Sequence, residues 1–285
     1  SDTHIGFPTG AEDLRAVVRD INRQNDVKFV VISGDITEKG KNDELKLAEQ
    51  ILDSVAVPYL IVPGNHDTKW SESGCTMFSS LFGDDKFVYA FKDYKIIGMN
   101  SGIPLRGGGG HFAPQDVAWL DSVLSVTDPG AKIIFVCHHQ PDGKEIDNTD
   151  VLLDRLKQRD IRFIGVGHGH SNRAYDFEGI EGVMFRSTLS RNGPAAYNIV
   201  DVRDDSIIIS QKNVAEPLKG SWRSFLNRRA SFGSLSPKEP VPTNPTVRVI
   251  WKYDAGATIG TGAATDGEIV VLTDALGRLT CLSLS

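Results

Sequence analysis

Six of the seven histidines in this sequence fall in four short segments: DTH at Asp2–His4, GNHD at Gly64–Asp67, HH at His138–His139 and GHGH at Gly167–His170. A fifth segment, GD at Gly34–Asp35, adds a carboxylate. Taken singly, each has a plain reading as a frayed terminus, a turn or a buried histidine. Five together form a donor set of Asp, His and Asn with no thiolate. Such donors suit Fe, Mn, Zn or Co; they are too rich in imidazole for Ca²⁺ or a dedicated Mg²⁺ cage and too hard for Cu(I). They outnumber the needs of one ion, so two metals are expected, with Asp35 as the natural bridge. Two ions roughly 3.5–4 Å apart can clamp both oxygens of an in-line displacement and acidify a water. If the Asp-x-His segment is extended, Asp2 and His4 point to the same face.

The surrounding elements must bring these segments to one place. AEDLRAVVRDINRQ carries Leu14, Val17, Val18 and Ile21 at helical spacing. VKFVVISGD and VPYLIVPGNHD are short, nearly continuous apolar runs, as buried parallel strands require, with the helix KNDELKLAEQILDSV between them. This β-α-β-α-β order predicts an α/β sheet with right-handed crossovers. KFVYAFKD and YKIIGMNS read as antiparallel strands, and Gly107–Gly110 as a mobile loop with no phosphate-loop helix behind it. The helix APQDVAWLDSVLSVT, with Pro114 in its first turn, precedes the strand AKIIFVCHHQP. The helix TDVLLDRLKQR then leads to the strand IRFIGVGHGH, and the chain turns to β alone. Every polar segment follows an apolar strand, or the place where one should be. In open α/β sheets ligands bind beyond the carboxyl ends of strands, so the five segments are expected on one rim.

Composition excludes some functions. Thirty-one basic residues against 37 acidic ones give a net charge of −6, no electrostatic basis for gripping nucleic acid. No apolar run is long enough to span a bilayer. Three widely separated cysteines, Cys75, Cys137 and Cys281, show no CxxC spacing, so free thiols are expected. The stretch 215–246, with SLSPKEPVPTNP, reads as a linker. Beyond it, 247–285 carries four short strand candidates around VRVIWKY, TIGTGAA, EIVVLTD and RLTCLSLS.

The order DTH, GDITE, GNHD, HH, GHGH resembles the calcineurin-like metallophosphoesterase family, over residues 1–214. The resemblance implies an α/β fold, a β-sandwich flanked by helices in αββα order. It implies one metal held by Asp2, His4, Asp35 and His170 and another by Asp35, Asn65, His138 and His168. The choice between His138 and His139 stays open, the first of the pair being the family's usual ligand. His66 would donate a proton to the leaving oxygen or stabilise developing charge, Asp67 would orient His66, and Asn65 would also touch phosphate. Arg173 and Arg191 could each contact phosphate or lie on a solvated surface; His111 reads as a loop residue near the site and not a ligand. The implied activity is hydrolysis of a small phosphate mono- or diester by a hydroxide bridging two metals, without an organic cofactor. In this family Asp-x-His follows the first sheet strand, so Ser1 is not expected to be the native start. Some relatives of the fold have lost ligands and serve as scaffolds; here every ligand type is present, which favours the enzyme.

Residues 247–285 resemble one blade of a quinoprotein-type (PQQ-like) β-propeller. One blade cannot bury its own faces, so the resemblance implies a truncated propeller that would bind a protein or polymer partner. It also implies an extracytoplasmic location, with a cytoplasmic one as the alternative.

Overall fold

The computed structural model describes all residues except 106, 192, 231, 233–249, 256–258, 260–261, 275–276 and 285. Two compact units emerge, Ser1–Ala230 and Ser231–Ser285.

In the first unit, α1 (Gly10–Ile21) buries the predicted face of Leu14, Val17, Val18 and Ile21. It is followed by β1 (Val30–Ser33), α2 (Asn42–Leu52) and β2 (Tyr59–Val62). Then come the one-turn helix α3 (Asn65–Lys69), α4 (Thr76–Phe82) and the hairpin β3 (Phe87–Phe91) with β4 (Tyr94–Gly98). Helix α4 was not legible in the sequence; its seven residues span fewer than two helical turns of pattern. The chain continues through α5 (Pro114–Ser125), β5 (Lys132–Val136), α6 (Thr149–Lys157) and β6 (Asp160–Val166). It ends in strands alone: β7 (Arg173–Phe177), β8 (Ile180–Met184), β9 (Ala196–Val202), β10 (Ser206–Asn213) and β11 (Ser221–Leu226).

Strands β1 and β2 pair in parallel. A mixed sheet of order β3-β4-β5-β6-β8-β7 is parallel in its centre and antiparallel at both edges. The order β11-β10-β9 forms a third, antiparallel sheet. One apolar cluster takes Val62 from β2, Ile96 from β4, Ile134 from β5, Phe163 from β6 and Ile207 and Ile209 from β10. The sheets therefore share a core. Outside β1 and β2, side chains of α1, α2 and α4 form a second cluster around Ile32 and Ile61. Helix α6 buries Leu152, Leu153 and Leu156 and packs on β6 and α5. Helices thus cover the strands on both sides, and the carboxyl ends of β1, β2, β5 and β6 deliver the polar segments.

Strand β11 lies inside the stretch read as linker. Its Trp222 and Phe225 pack against the shared core, which gives this segment apolar contacts that Pro- and Ser-rich composition downstream obscures. Residues 231 and 233–246 of that linker lie outside the described residues. The three cysteines are free. Among the described residues, no helix is long and apolar enough to cross a membrane.

In the second unit, β12 (Ala264–Thr265), β13 (Ile269–Thr273) and β14 (Leu279–Ser283) form an antiparallel meander. The predicted turn at Asp266–Gly267 is present, with Asp266 Oδ1 accepting the N–H groups of Glu268 and Ile269 at 2.9 and 3.0 Å. Of the four strand candidates, the first has its described part, 250–253, outside any strand. Residues 247–249 of that candidate, and 258, 260 and 261 of the second, lie outside the described residues.

Candidate metal centre and active site

The amino-terminal segment runs beside the loop that follows β1. Asp2 N–H donates to Gly34 O at 2.9 Å, His4 N–H to Asp35 O at 3.1 Å and Ile5 N–H to Ile36 O at 2.8 Å. These bonds join the Asp-x-His and Gly-Asp segments. The segment is not extended, as the simple alternation argument required. Asp2 and His4 have φ of 53° and 45°, and Asp35 has 51°. Across the site His168 and His170 repeat the device at 70° and 57°. Half of the ten non-glycine residues with left-handed φ among the described residues are therefore expected ligands. Each such conformation costs on the order of 1–2 kcal/mol, and strain of this kind collects where side chains must be aimed. Gly34 permits a close approach: a Cβ there would lie 2.4 Å from His138 Nδ1.

Two donor groups share Asp35. In the first, His4 Nε2 lies 3.1 Å from His170 Nε2, His170 Nε2 lies 3.4 Å from Asp2 Oδ1, and His4 Nε2 lies 3.8 Å from Asp35 Oδ2. In the second, His138 Nε2 lies 3.2 Å from Asp35 Oδ2 and 3.1 Å from Asn65 Oδ1, which is 2.9 Å from His168 Nδ1. His138 Nδ1 donates to Ser33 O at 2.7 Å, so its Nε2 lone pair turns inward. His139 differs. Its Nδ1 meets Ser101 Oγ at 2.9 Å and its Nε2 donates to Gly108 O at 3.2 Å, so both ring nitrogens are engaged. It still lies close enough to His138 and His168 to complete a third ligand atom with them. Gly108 is thereby tied down within the loop read as mobile, and Gly110 bridges to Ile146.

The donors fit a cation. His4 Nε2 and His170 Nε2 converge to 3.1 Å, and Asp35 is buried with His4 on one side and His138 on the other. Burial, reinforced by His66, His170 and His138, lowers His4 to about 3. Burial also opposes charge on His138, but Asp35 outweighs it and holds the imidazolium up to about 9. Burial pushes Asp35 up, and His138, with His66 and His4, overcomes it and holds the carboxylate below its ordinary range. Without a cation, a proton on His138 thus balances the Asp35 charge; a metal would displace it.

His66 sits beside the first group, its ring centroid 4.7 Å from that of His4. Its Nδ1 donates to Glu38 O at 2.8 Å, leaving Nε2 available. Asp67, expected to orient His66, does something else. It accepts from Ile36 N–H at 3.0 Å, Thr37 N–H at 2.8 Å, Thr37 Oγ at 2.7 Å and Gly64 N–H at 2.8 Å. Four donors saturate the carboxylate, so it clamps the loop after β1 to the loop after β2. Burial, with Asp35 adding, still raises it to about 6.

Arg191 stacks on Phe7, its guanidinium carbon 3.9 Å from the ring centroid. Arg173 is exposed at the start of β7. His111 Nδ1 pairs with Asp147 Oδ1 at 2.6 Å. The structure also shows a residue the sequence reading passed over. Glu38 Oε2 lies 3.0 Å from His4 Nδ1, a carboxylate behind a candidate ligand histidine. Its signal was in plain sight, in GDITE three residues after Asp35.

The family model described as calcineurin-like phosphoesterase matches residues 1–172. The chain belongs to the calcineurin-like phosphoesterase family. A probable glycerophosphodiester phosphodiesterase of Arcobacter nitrofigilis is 29% identical over 155 residues, 50% of this chain and 56% of that protein. A probable cyclic nucleotide phosphodiesterase of Vesicomyosocius okutanii is 25% identical over 197 residues, 66% of this chain and 78% of that protein. The chain thus spans little more than half the length of the first of these relatives. Among solved structures, GAP50, the anchor in the inner membrane complex of Plasmodium, aligns with a TM-score of 0.54 at 13% identity. That alignment covers 79% of this chain and 86% of the other, a likeness of fold alone.

Proposed function

We propose that this phosphoesterase hydrolyses small phosphodiesters at a centre of two divalent metals. The observation that carries the reading is the convergence of two donor groups on Asp35 beside His66. Asp2, His4, Asp35 and His170 would hold one ion, and Asp35, Asn65, His138 and His168 the other. His138 is preferred to His139 because only its Nε2 faces Asp35 and Asn65. The ions, of the Fe, Mn, Zn or Co class, would supply positive charge against the phosphoryl oxygens and acidify a water.

The chain's own residues do the rest. Asn65, held between His138 and His168, turns toward the phosphoryl group. His66, in its imidazolium form with Nδ1–H held by the Glu38 carbonyl, gives its Nε2 proton to the departing alkoxide and is left neutral. Water forms one P–O bond, the bond to the alcohol breaks, and the products are an alcohol and a phosphomonoester. Diesters are preferred to monoesters on the names of the relatives. The second unit is a candidate partner-binding segment, in keeping with its blade-like pattern.

The test is metal analysis with parallel assays on bis(4-nitrophenyl) phosphate and 4-nitrophenyl phosphate. About two equivalents of metal and faster turnover of the diester support the reading. No metal after reconstitution, or turnover of neither substrate, overturns it.

A further inference from the structure

Beside His66 lies a patch that the reaction as described does not use. The Trp70 ring stands edge-on to His66, centroids 5.2 Å apart at 82°, and remains 41% exposed. Lys39 Nζ and Lys69 Nζ lie 4.5 and 4.1 Å from the centroid of that indole. Neither ammonium has an ion-pair partner among the described residues, although the chain as a whole is acidic. Lys39 follows the residue whose carbonyl fixes His66, and Lys69 ends the helix that carries His66. The loop opposite is shaped around Lys69. A Cβ at Gly107 would come 2.5 Å from Lys69 Cε, and Leu105 donates its N–H to Thr68 O at 3.2 Å from a left-handed φ of 60°.

Resting on the phosphodiesterase reading, we infer that Lys39, Lys69 and Trp70 form a leaving-group subsite for an alcohol bearing an oxyanion of its own. His66 is the proposed proton donor to the departing alcohol, Trp70 is its ring neighbour at 5.2 Å, and both lysines stand against that indole. An exposed indole alone would attract a cationic leaving group such as an amino alcohol. Here two ammonium groups already satisfy the ring and repel a further cation, whereas an anion gains from both. Opposite-charge pairs at a partly exposed surface are individually weak, so the preference is expected to be modest and sensitive to salt.

The test uses the metal-loaded full chain and two diesters, methyl 4-nitrophenyl phosphate and methyl 3-carboxy-4-nitrophenyl phosphate. The expected ratio of kcat/KM, carboxylated over plain, is about five- to tenfold at low salt. It should fall toward one in a Lys39→Met/Lys69→Met double variant and in wild type at high salt. A ratio at or below one in wild type, or one unchanged in the double variant, overturns the subsite. The ratio is internal to each protein, so a general loss of activity does not imitate the effect. Calorimetric binding of 5-hydroxy-2-nitrobenzoate, the released alcohol, provides a readout independent of turnover. If neither diester is hydrolysed, the phosphodiesterase reading fails by itself; binding weakened by the double variant then still supports the anion subsite, and absence of binding overturns it.

Discussion

Each side of Asp35 presents two histidines, and one histidine from each behaves in the opposite way to the other. His4 on one side is driven down to about 3, and His138 on the other is held up to about 9. Both are buried, so burial alone cannot separate them. The difference is company. His138 Nε2 lies 3.2 Å from Asp35 and its other nitrogen donates to the Ser33 carbonyl. His4 Nε2 is 3.8 Å from Asp35, with His170 and His66 close beside it. Imidazoles crowd both, with the ring centroids of His139 and His168 5.0 and 5.2 Å from that of His138, so the adjacent carboxylate and the carbonyl are what favour a proton on His138. His4 and His138 therefore meet a cation differently, the first already without its proton and the second needing to release one.

Removing the shared carboxylate should collapse the contrast. Asp35→Asn is expected to lower kcat on a phosphodiester by roughly a thousandfold or more, with metal content falling in both groups. Loss of metal from one group only would show that Asp35 is no bridge. Next in size is pH. Because a metal at the His138 side must displace a proton held to about 9, affinity there should rise about tenfold per pH unit from pH 6 to 9. The His4 nitrogen, free of its proton above about 3, should contribute no such slope. Competition titrations with a chromophoric chelator at several pH values would resolve the two, and parallel slopes would contradict the asymmetry.

The metal-free protein should show the same contrast in stability. His138 has a folded value above its ordinary 6.5, so its contribution is complete below 6.5 and lost as pH rises to about 9. His4 has a folded value below 6.5, so its cost grows as pH falls from 6.5 toward about 3. These two groups together place the maximum near pH 6.5; a metal-free Tm rising steadily from pH 6.5 to 9 would refute their assignment. Glu38→Gln sharpens the comparison on one side only. It should weaken metal binding at the His4 group about 10- to 100-fold and leave the His138 group within about threefold. The smallest effect concerns Asp67. In Asp67→Asn the amide presents a donor to N–H groups, so stability should fall by about 2–3 kcal/mol, read by denaturant unfolding, with the His66 ring still held by the Glu38 carbonyl.

Much of this was legible in residue types and spacing. The apolar face of α1, the buried runs of β1, β2, β5 and β6, and the polar residues following each are local patterns, set by chain periodicity and strand length. Helix α4 was too short to carry such a pattern, and β11 was hidden beside a stretch rich in Pro and Ser. The backbone of the candidate ligand segments is not legible in spacing: it runs through left-handed residues at Asp2, His4, His168 and His170 rather than through an extended chain.

The sequence by itself determined the donor set, its distribution over strand ends and hence the class of chemistry. Those depend on residue identity and on periodicities of a few residues. Only the tertiary structure decided which imidazole of His138–His139 turns inward, that Asp67 clamps two loops instead of steering His66, that Glu38 backs His4, and that two lysines share the Trp70 ring. Each depends on distances between segments far apart in the chain, and on which hydrogen-bond partners are already taken, quantities with no counterpart in local spacing.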